Sequence, residues 1–275
     1  DGKRKNHGRV VVASGKNDDG VATIVTIPLW SVPYRSADYG KTWTPIDTLP
    51  SDGIERFMHT TRPMAADKVN KDVFYYYDYK TGDFYISKNN AQTFAKSASL
   101  PKGCYQSYVW TAPGKEGNVY VSINYEGIYF SSDYGNTFRK IDNVTQAFLF
   151  ALGKEAENSE YPTMYIFGSV NNNEGVFRST DNGESWVKIN NAQTGLGNIP
   201  QIMVADRQQF GIVYIGTQGT GAYVGMPAEL DIIPPRIAIK DDLDGTIIKE
   251  GVYKLTGASS EKATITCTLN GVQGS

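Results

Sequence analysis

Apolar residues along this chain fall in short runs rather than at helical spacing. "DVFYYYDYKTGDFYISKNNAQTFAKSA" shows the type: β-branched and aromatic stretches bounded by Gly, Asn, Asp or Ser. Such runs predict strands joined by tight turns, here with Thr81-Gly82 at a hairpin. "NVYVSINYEGIYFSSDYGNTFRKID" and "TMYIFGSVNNNEGVFRSTDNGESWVKIN" read the same way: strand, turn, strand, polar box, strand. The stretch "FYYYDY", Phe74 to Tyr79, places aromatics on both faces of a strand, which core packing alone explains. The one helix-tolerant stretch, "ALGKEAENSEYP", is expected to form an inserted loop.

The polar box is an eight-residue pattern: Ser, any, Asp, any, Gly, any, Thr or Ser, aromatic. Ser36, Asp38, Gly40 and Trp43 fill one copy; Ser131, Asp133, Gly135 and Phe138 a second; Ser179, Asp181, Gly183 and Trp186 a third. A worn copy has Ser87, Asn89 and Phe94, with Ala91 in the glycine position. Asp38, Asn89, Asp133 and Asp181 are spaced by 51, 44 and 48 residues, the period of four-stranded propeller blades. Catalysis seldom needs one acid in every repeat, so the box is read as structural. Its glycine supplies the positive φ of a tight turn, and its acid and hydroxyl bond the turn backbone. Its aromatic is expected to fold inward between neighbouring sheets.

Residues 1–226 hold four such repeats and, with the hairpin "GIVYIGTQGTGAYVG", part of a fifth. The expected fold is therefore all-β: a partial β-propeller of about four to five blades out of an expected seven, since seven would need about 330 residues. Unless the ring has five blades, the chain is expected to start inside a domain. Composition changes after Met226, and Pro234-Pro235 marks a stiff boundary. The alternating stretches "RIAI", "VYKLTG" and "ATITCTLNG" predict that 227–275 begins a C-terminal Ig-like β-sandwich, a fold that needs about 100 residues.

Composition narrows the chemistry. A net charge of -2 with 20% charged residues commits the surface neither to nucleic acid nor to anionic membrane. No run of about 18 apolar residues predicts a spanning helix, and "DGKRKNHGRV" lacks the apolar core of a signal peptide. Cys104 and Cys267 fall in different predicted domains and are read as free thiols; His7 and His59 have no cysteine cluster beside them. The acidic "DDLDG", Asp241 to Gly245, is read as a solvated turn rather than a calcium loop. No metal and no cofactor are expected. Aromatics at 12% fit stacked sheets or a carbohydrate-binding surface.

The boxes are the Asp-box (BNR) repeat of sialidases, sortilin-type receptors and several glycoside hydrolases. The text between them is more specific. "RPMAADKVNKDVFYYYDYKTGDFYISKNNAQTF", "TAPGKEGNVYVSINYEGIYFSSDYGNTF" and "YPTMYIFGSVNNNEGVFRSTDNGESWVKIN" closely resemble the xyloglucanases of glycoside hydrolase family 74, in order over roughly residues 11–225. The resemblance implies two facing seven-bladed propellers with xyloglucan between them. It also implies a secreted endo-β-1,4-glucanase that inverts, using one Asp from each propeller. This chain resembles later blades of the second propeller, so both catalytic carboxylates are expected outside it and no Asp here is assigned as catalytic. The first propeller of the parent chain and a plant cell-wall β-glucan, xyloglucan or a relative, are the implied partners. Two departures bear on substrate contacts: "NNAQTGLGNIP" lacks a His-Phe pair usual in the family, and Thr220 stands where an Arg is often found.

Sugar contacts are sought outside the boxes, where aromatic platforms and polar groups could meet a glycan. Trp30 in "IPLWSVPY", with Tyr34 nearby, and Trp110, with Tyr105 and Tyr108, are the aromatic candidates. Arg56, His59, Arg62 and Asp67 in "GIERFMHTTRPMAAD" form the polar group. For each, a packed loop anchor or an inter-blade salt bridge is the competing reading. A non-catalytic Asp-box propeller that binds glycan or protein is the alternative function. A sialidase is disfavoured because no Arg-Ile-Pro motif precedes the first box.

Overall fold

The computed structural model describes residues 8–29, 31–50, 61–103, 107–190, 196 and 199–227, and four short strands beyond them. Contacts divide the chain into two compact units, Asp1–Met226 and Pro227–Ser275. The first is an all-β, five-bladed propeller arrangement. Blade I is the antiparallel sheet β1 (Gly8–Val12), β2 (Ile24–Pro28), β3 (Tyr34–Ser36) and β4 (Thr44–Pro45). Blade II follows as β5 (Met64–Ala66), β6 (Phe74–Tyr77), β7 (Asp83–Ser87) and β8 (Ala95–Ser99). Blade III is β9 (Ser107–Thr111), β10 (Val119–Ile123), β11 (Gly127–Ser131) and β12 (Arg139–Lys140). Blade IV is β13 (Val144–Gly153), β14 (Thr163–Val170), β15 (Asn173–Ser179) and β16 (Val187–Lys188). Blade V has three strands, β17 (Pro200–Ala205), β18 (Val213–Thr217) and β19 (Ala222–Gly225), and no box.

In every blade the strands pair in sequence order, and the first strand packs against the first strand of the next blade. Apolar side chains on the two faces of neighbouring sheets fill the space between blades. Phe74, Tyr75, Tyr77 and Phe84 are fully buried in blade II, as are Tyr120, Ile123 and Ile128 in blade III. This is the sandwiching that the aromatic runs call for. The stretch expected to be an inserted loop is divided: Ala151, Leu152 and Gly153 finish β13, paired with Thr163–Tyr165, and the loop begins only at Lys154. Buried Leu152 and Met164 explain why pairing continues so far.

The box is the turn between the third and fourth strands of blades I to IV. In the second copy Ser131 Oγ donates to Asp133 Oδ1 at 2.7 Å and accepts from Gly135 N at 2.8 Å. Asp133 in turn accepts from the backbone and hydroxyl of Thr137. The first and third copies repeat these bonds. The worn copy keeps the geometry with one polarity reversed: Asn89 Nδ2 donates to Thr93 Oγ1 at 2.8 Å. Two consecutive residues take positive φ, not the glycine alone: Tyr134 at 63° precedes Gly135 at 78°, and Asn90 at 61° precedes Ala91 at 60°.

The boxes of blades II to IV also lean on the blade before them. Phe94 N donates to Thr48 Oγ1 of blade I, and Ser97 Oγ of blade II donates to Gly135 O. Tyr120 of blade III donates to Asn182 Oδ1 in the box of blade IV. Phe94 is buried, Phe138 meets Phe84 edge-on at 4.9 Å between centroids, and Trp186 packs on the blade III–IV core. Trp43 departs from the inward packing expected of it. It is 41% exposed and turns its Nε1 to Gly40 O, because no blade precedes blade I among the described residues.

In the second unit, β20 (Ile237–Ile239) pairs with β21 (Gly257–Ser259), and β22 (Thr268–Leu269) with β23 (Val272–Gln273). These two short antiparallel pairs do not by themselves make an Ig-like sandwich.

Candidate functional site

The first strands converge on a cavity of about 150 Å³ that all five blades help to line. Blade I contributes Arg9, the segment leading into β5 contributes Arg62, and β9 contributes Tyr108 and Trp110. Leu149 and Phe150 of β13 and Ile202 and Met203 of β17 add apolar lining, and Gln201 of β17 closes the set. Arg62 and Trp110 also line a second cavity of about 320 Å³, which reaches Lys68 and Arg207.

Backbone pairing explains why these groups meet. Arg62 forms an isolated parallel bridge with Tyr108: Arg62 N donates to Ser107 O at 2.9 Å, and Val109 N to Arg62 O at 2.8 Å. Arg9 Nε donates to Thr61 O at 3.0 Å, which draws its guanidinium toward Arg62. Arg62 lies over the Trp110 ring with its Cζ 5.8 Å from the centroid, a cation–π placement. Phe150 meets the same indole edge-on at 6.1 Å. Trp110 Nε1 is buried and has no acceptor among the described residues.

Electrostatics follow from this crowding. Burial first, and then the Arg62 charge, hold the Arg9 guanidinium below its ordinary value, with Tyr108 opposing. Burial pushes the Tyr108 phenol up, against the pull of both arginines. Lys68 is lowered by burial and by Arg207, with Asp67 opposing. No carboxylate is among the described residues lining either cavity.

Of the residues singled out in the sequence, Arg62 and Trp110 are brought together, and Tyr108 joins them. Tyr34 sits at the start of β3, opposite Pro45 and Thr26, and lines neither cavity. Asp67 does not face the arginines' cavity but is fully buried. It accepts from Val69 N, Asn70 N, Gly117 N and, at 2.9 Å, the Tyr75 hydroxyl, tying blade II to blade III. Trp30, Arg56, His59, Tyr105, both cysteines and Asp241 to Gly245 lie outside the described residues. Among the described residues no cluster of three or more His, Cys, Asp or Glu could hold a metal.

Arg9, Gln201, Lys68 and Arg207 were not singled out, yet the repeat marks them. Four residues before Ala13, Ala66, Ala112 and Ala205 stand Arg9, Arg62, Tyr108 and Gln201. Two residues after Ala66 and Ala205 stand Lys68 and Arg207. Aligning first strands rather than boxes collects the cavity from sequence.

The description "BNR-Asp box repeat" matches residues 34–46, the first box and its flanks. A xyloglucanase of Acetivibrio thermocellus is 32% identical over 227 residues, covering 82% of this chain and 25% of that protein. An oligoxyloglucan-reducing end-specific xyloglucanase of Emericella nidulans is 30% identical over 206 residues, covering 70% of this chain and 23% of its own length. The crystal structure of a GH74 enzyme from Niastella koreensis matches with a TM-score of 0.65 and 31% identity, over 78% of this chain and 30% of that one. The chain thus spans about a quarter of the length of the curated relatives it matches. With the sheet order and box geometry, these likenesses identify its propeller unit as an Asp-box β-propeller region of the kind found in the xyloglucanases of glycoside hydrolase family 74.

Proposed function

We propose that the chain is part of a secreted, inverting endo-β-1,4-glucanase that degrades plant cell-wall xyloglucan, and that its propeller contributes to holding the glycan. The observation that carries this reading is the likeness to xyloglucanases at 32% identity across 227 residues.

Inversion requires a general acid and a general base about 6.5–9.5 Å apart, the acid with a raised pKa. The box acids are tuned the wrong way for an acid. Hydrogen bonds from Thr42 and Ser36 hold Asp38 down at about 2. Burial works against the lowering of Asp133 and Asp181, but bonds from their own turns outweigh it. Asp67 has its oxygens filled by four donors. These tunings support the reading that the box acids and Asp67 are not the catalytic pair; on this proposal the pair belongs to the longer parent and the chain's own role is binding. The alternative, a propeller that binds glycan or protein without catalysis, makes the same statement for this chain and differs only for the parent.

Titration with xyloglucan oligosaccharides tests the reading, alongside an assay for new reducing ends. Saturable binding without hydrolysis is expected. Equal affinity for an unrelated α-glucan would remove the xyloglucan assignment, and hydrolysis by the chain alone would remove the placement of the acids.

A further inference from the structure

A β-1,4-glucan presents hydroxyls and C–H faces but no charge, so it does not offset the repulsion among cations gathered where the blades converge. Yet Arg9 and Arg62 line one cavity, and Arg62, Lys68 and Arg207 line the adjoining one, in a chain of net charge -2. No described carboxylate lines either space to neutralise them. Like charges brought together in a partly desolvated site are unfavourable unless something offsets them. The cations also recur at matching places in the repeat, Arg9 with Arg62 and Lys68 with Arg207, which makes the gathering a property of the fold.

We propose that the cavity formed by Arg9, Arg62, Tyr108, Trp110 and Gln201 binds a carboxylated sugar, a uronate, with its carboxylate between the two guanidiniums. This goes beyond the xyloglucan reading and does not depend on it. The planar fork of a guanidinium matches a carboxylate and can hold it through two parallel bonds. The Arg62 guanidinium lies over the Trp110 ring and the Arg9 side chain is bonded to Thr61 O, contacts that reduce the ordering left to be done on binding. Leu149, Phe150 and Met203 also line the cavity and give apolar surface for the C–H face of a ring. At about 150 Å³ the space suits one charged ring end rather than a chain of sugars.

The test is calorimetric titration of the full chain at low salt with glucuronate, with glucose as the neutral match and inorganic phosphate as the tetrahedral anion. Glucuronate should bind at one per chain, at least about tenfold tighter than glucose, and weaken as salt is raised. Arg9→Gln and Arg62→Gln should each cost about tenfold or more, while Arg9→Lys should retain part of the affinity. Xyloglucan oligosaccharide titrated into the unaltered chain is read separately, so that loss of the xyloglucan reading and loss of uronate binding are told apart. Should Arg62→Gln not fold, Arg9→Gln and the glucuronate-to-glucose ratio of the unaltered chain still decide. Equal binding of glucose and glucuronate, unchanged glucuronate affinity in folded Arg9→Gln, or a preference for phosphate over glucuronate would each overturn the proposal.

Discussion

The box of blade III and the box of blade I have the same hydrogen bonds and different surroundings. Ser131 and Ser36 each donate to the acid two residues on and accept from the glycine four residues on, with lengths agreeing to about 0.1 Å. Gly135 and Gly40 share positive φ, 78° and 81°. Beyond the turn the likeness ends. Phe138 and the turn around Gly135 press on Phe84 of blade II, whereas Trp43 and Tyr39 of blade I are 41% and 66% exposed. The turn is thus built by its own eight residues, and the clamp is built only where a blade stands before it. One motif encodes two separable things: a local backbone conformation and a socket for a neighbour.

That separation is sharpest at the glycines. A Cβ at position 135 would come within 2.3 Å of Phe84 Cε1, whereas at position 40 the nearest atom, Trp43 Cζ2, is 3.5 Å away. Gly135→Ala should therefore incur both the left-handed backbone cost and overpacking, about 3 kcal/mol together. Gly40→Ala should show the backbone cost alone, about 1 kcal/mol. Urea unfolding of the two variants measures the difference, and equal losses would mean that the clamp does not hold the turn. Ala91 shows that the turn itself accepts a Cβ, at φ 60° and fully buried. The aromatics should rank the same way, with smaller effects. Phe138→Ala is expected to cost about 2–3 kcal/mol, below the value for a fully buried ring. Trp43→Ala should cost less than about 1 kcal/mol, read from the same urea midpoints. A Trp43→Ala loss as large as that of Phe138→Ala would show that Trp43 is clamped after all.

The contrast also explains what could be read from sequence. The box is local: Ser131 bonds residues two to four positions away, so an eight-residue pattern states its geometry. Strand order was legible for a related reason, because each strand pairs with its chain neighbour across a short turn. The exposure of Trp43 was not, since it depends on a sheet outside the pattern. Nor was the convergence of Arg9, Arg62 and Gln201, which lie on three blades and are far apart along the chain. Arg62 and Trp110 were found through their residue types; that the guanidinium covers the indole face is set by the parallel bridge between Arg62 and Tyr108. Asp67 misled for the opposite reason. Its neighbours in sequence suggested a polar cluster, while its partners Tyr75 and Gly117 draw it into the wall between blades.

The smallest predicted effect concerns the local half of the motif alone. Asp38, Asp133 and Asp181 all have carboxyl pKa values below the ordinary carboxylate range, Asp38 at about 2 through bonds from Thr42 and Ser36. A folded-state pKa lowered in this way contributes stability above the unfolded value of about 3.9, and loses it as pH falls through the folded value. The boxes should therefore add to acid sensitivity between about pH 4 and pH 2. The worn copy shows what removing the charge does: Asn89 keeps the bonds from Ser87 and Thr93 N but donates to the Thr93 hydroxyl instead of accepting from it. A chain with Asp38→Asn, Asp133→Asn and Asp181→Asn should keep its turns, lose little stability at neutral pH, and show a flatter decline below pH 4. Urea midpoints measured across that range would decide it. An unchanged acid limb would mean that these carboxyls are bonded no better in the fold than in the unfolded chain. Because the change is confined to the turns, blades I and III should respond alike, although Gly135→Ala and Gly40→Ala do not.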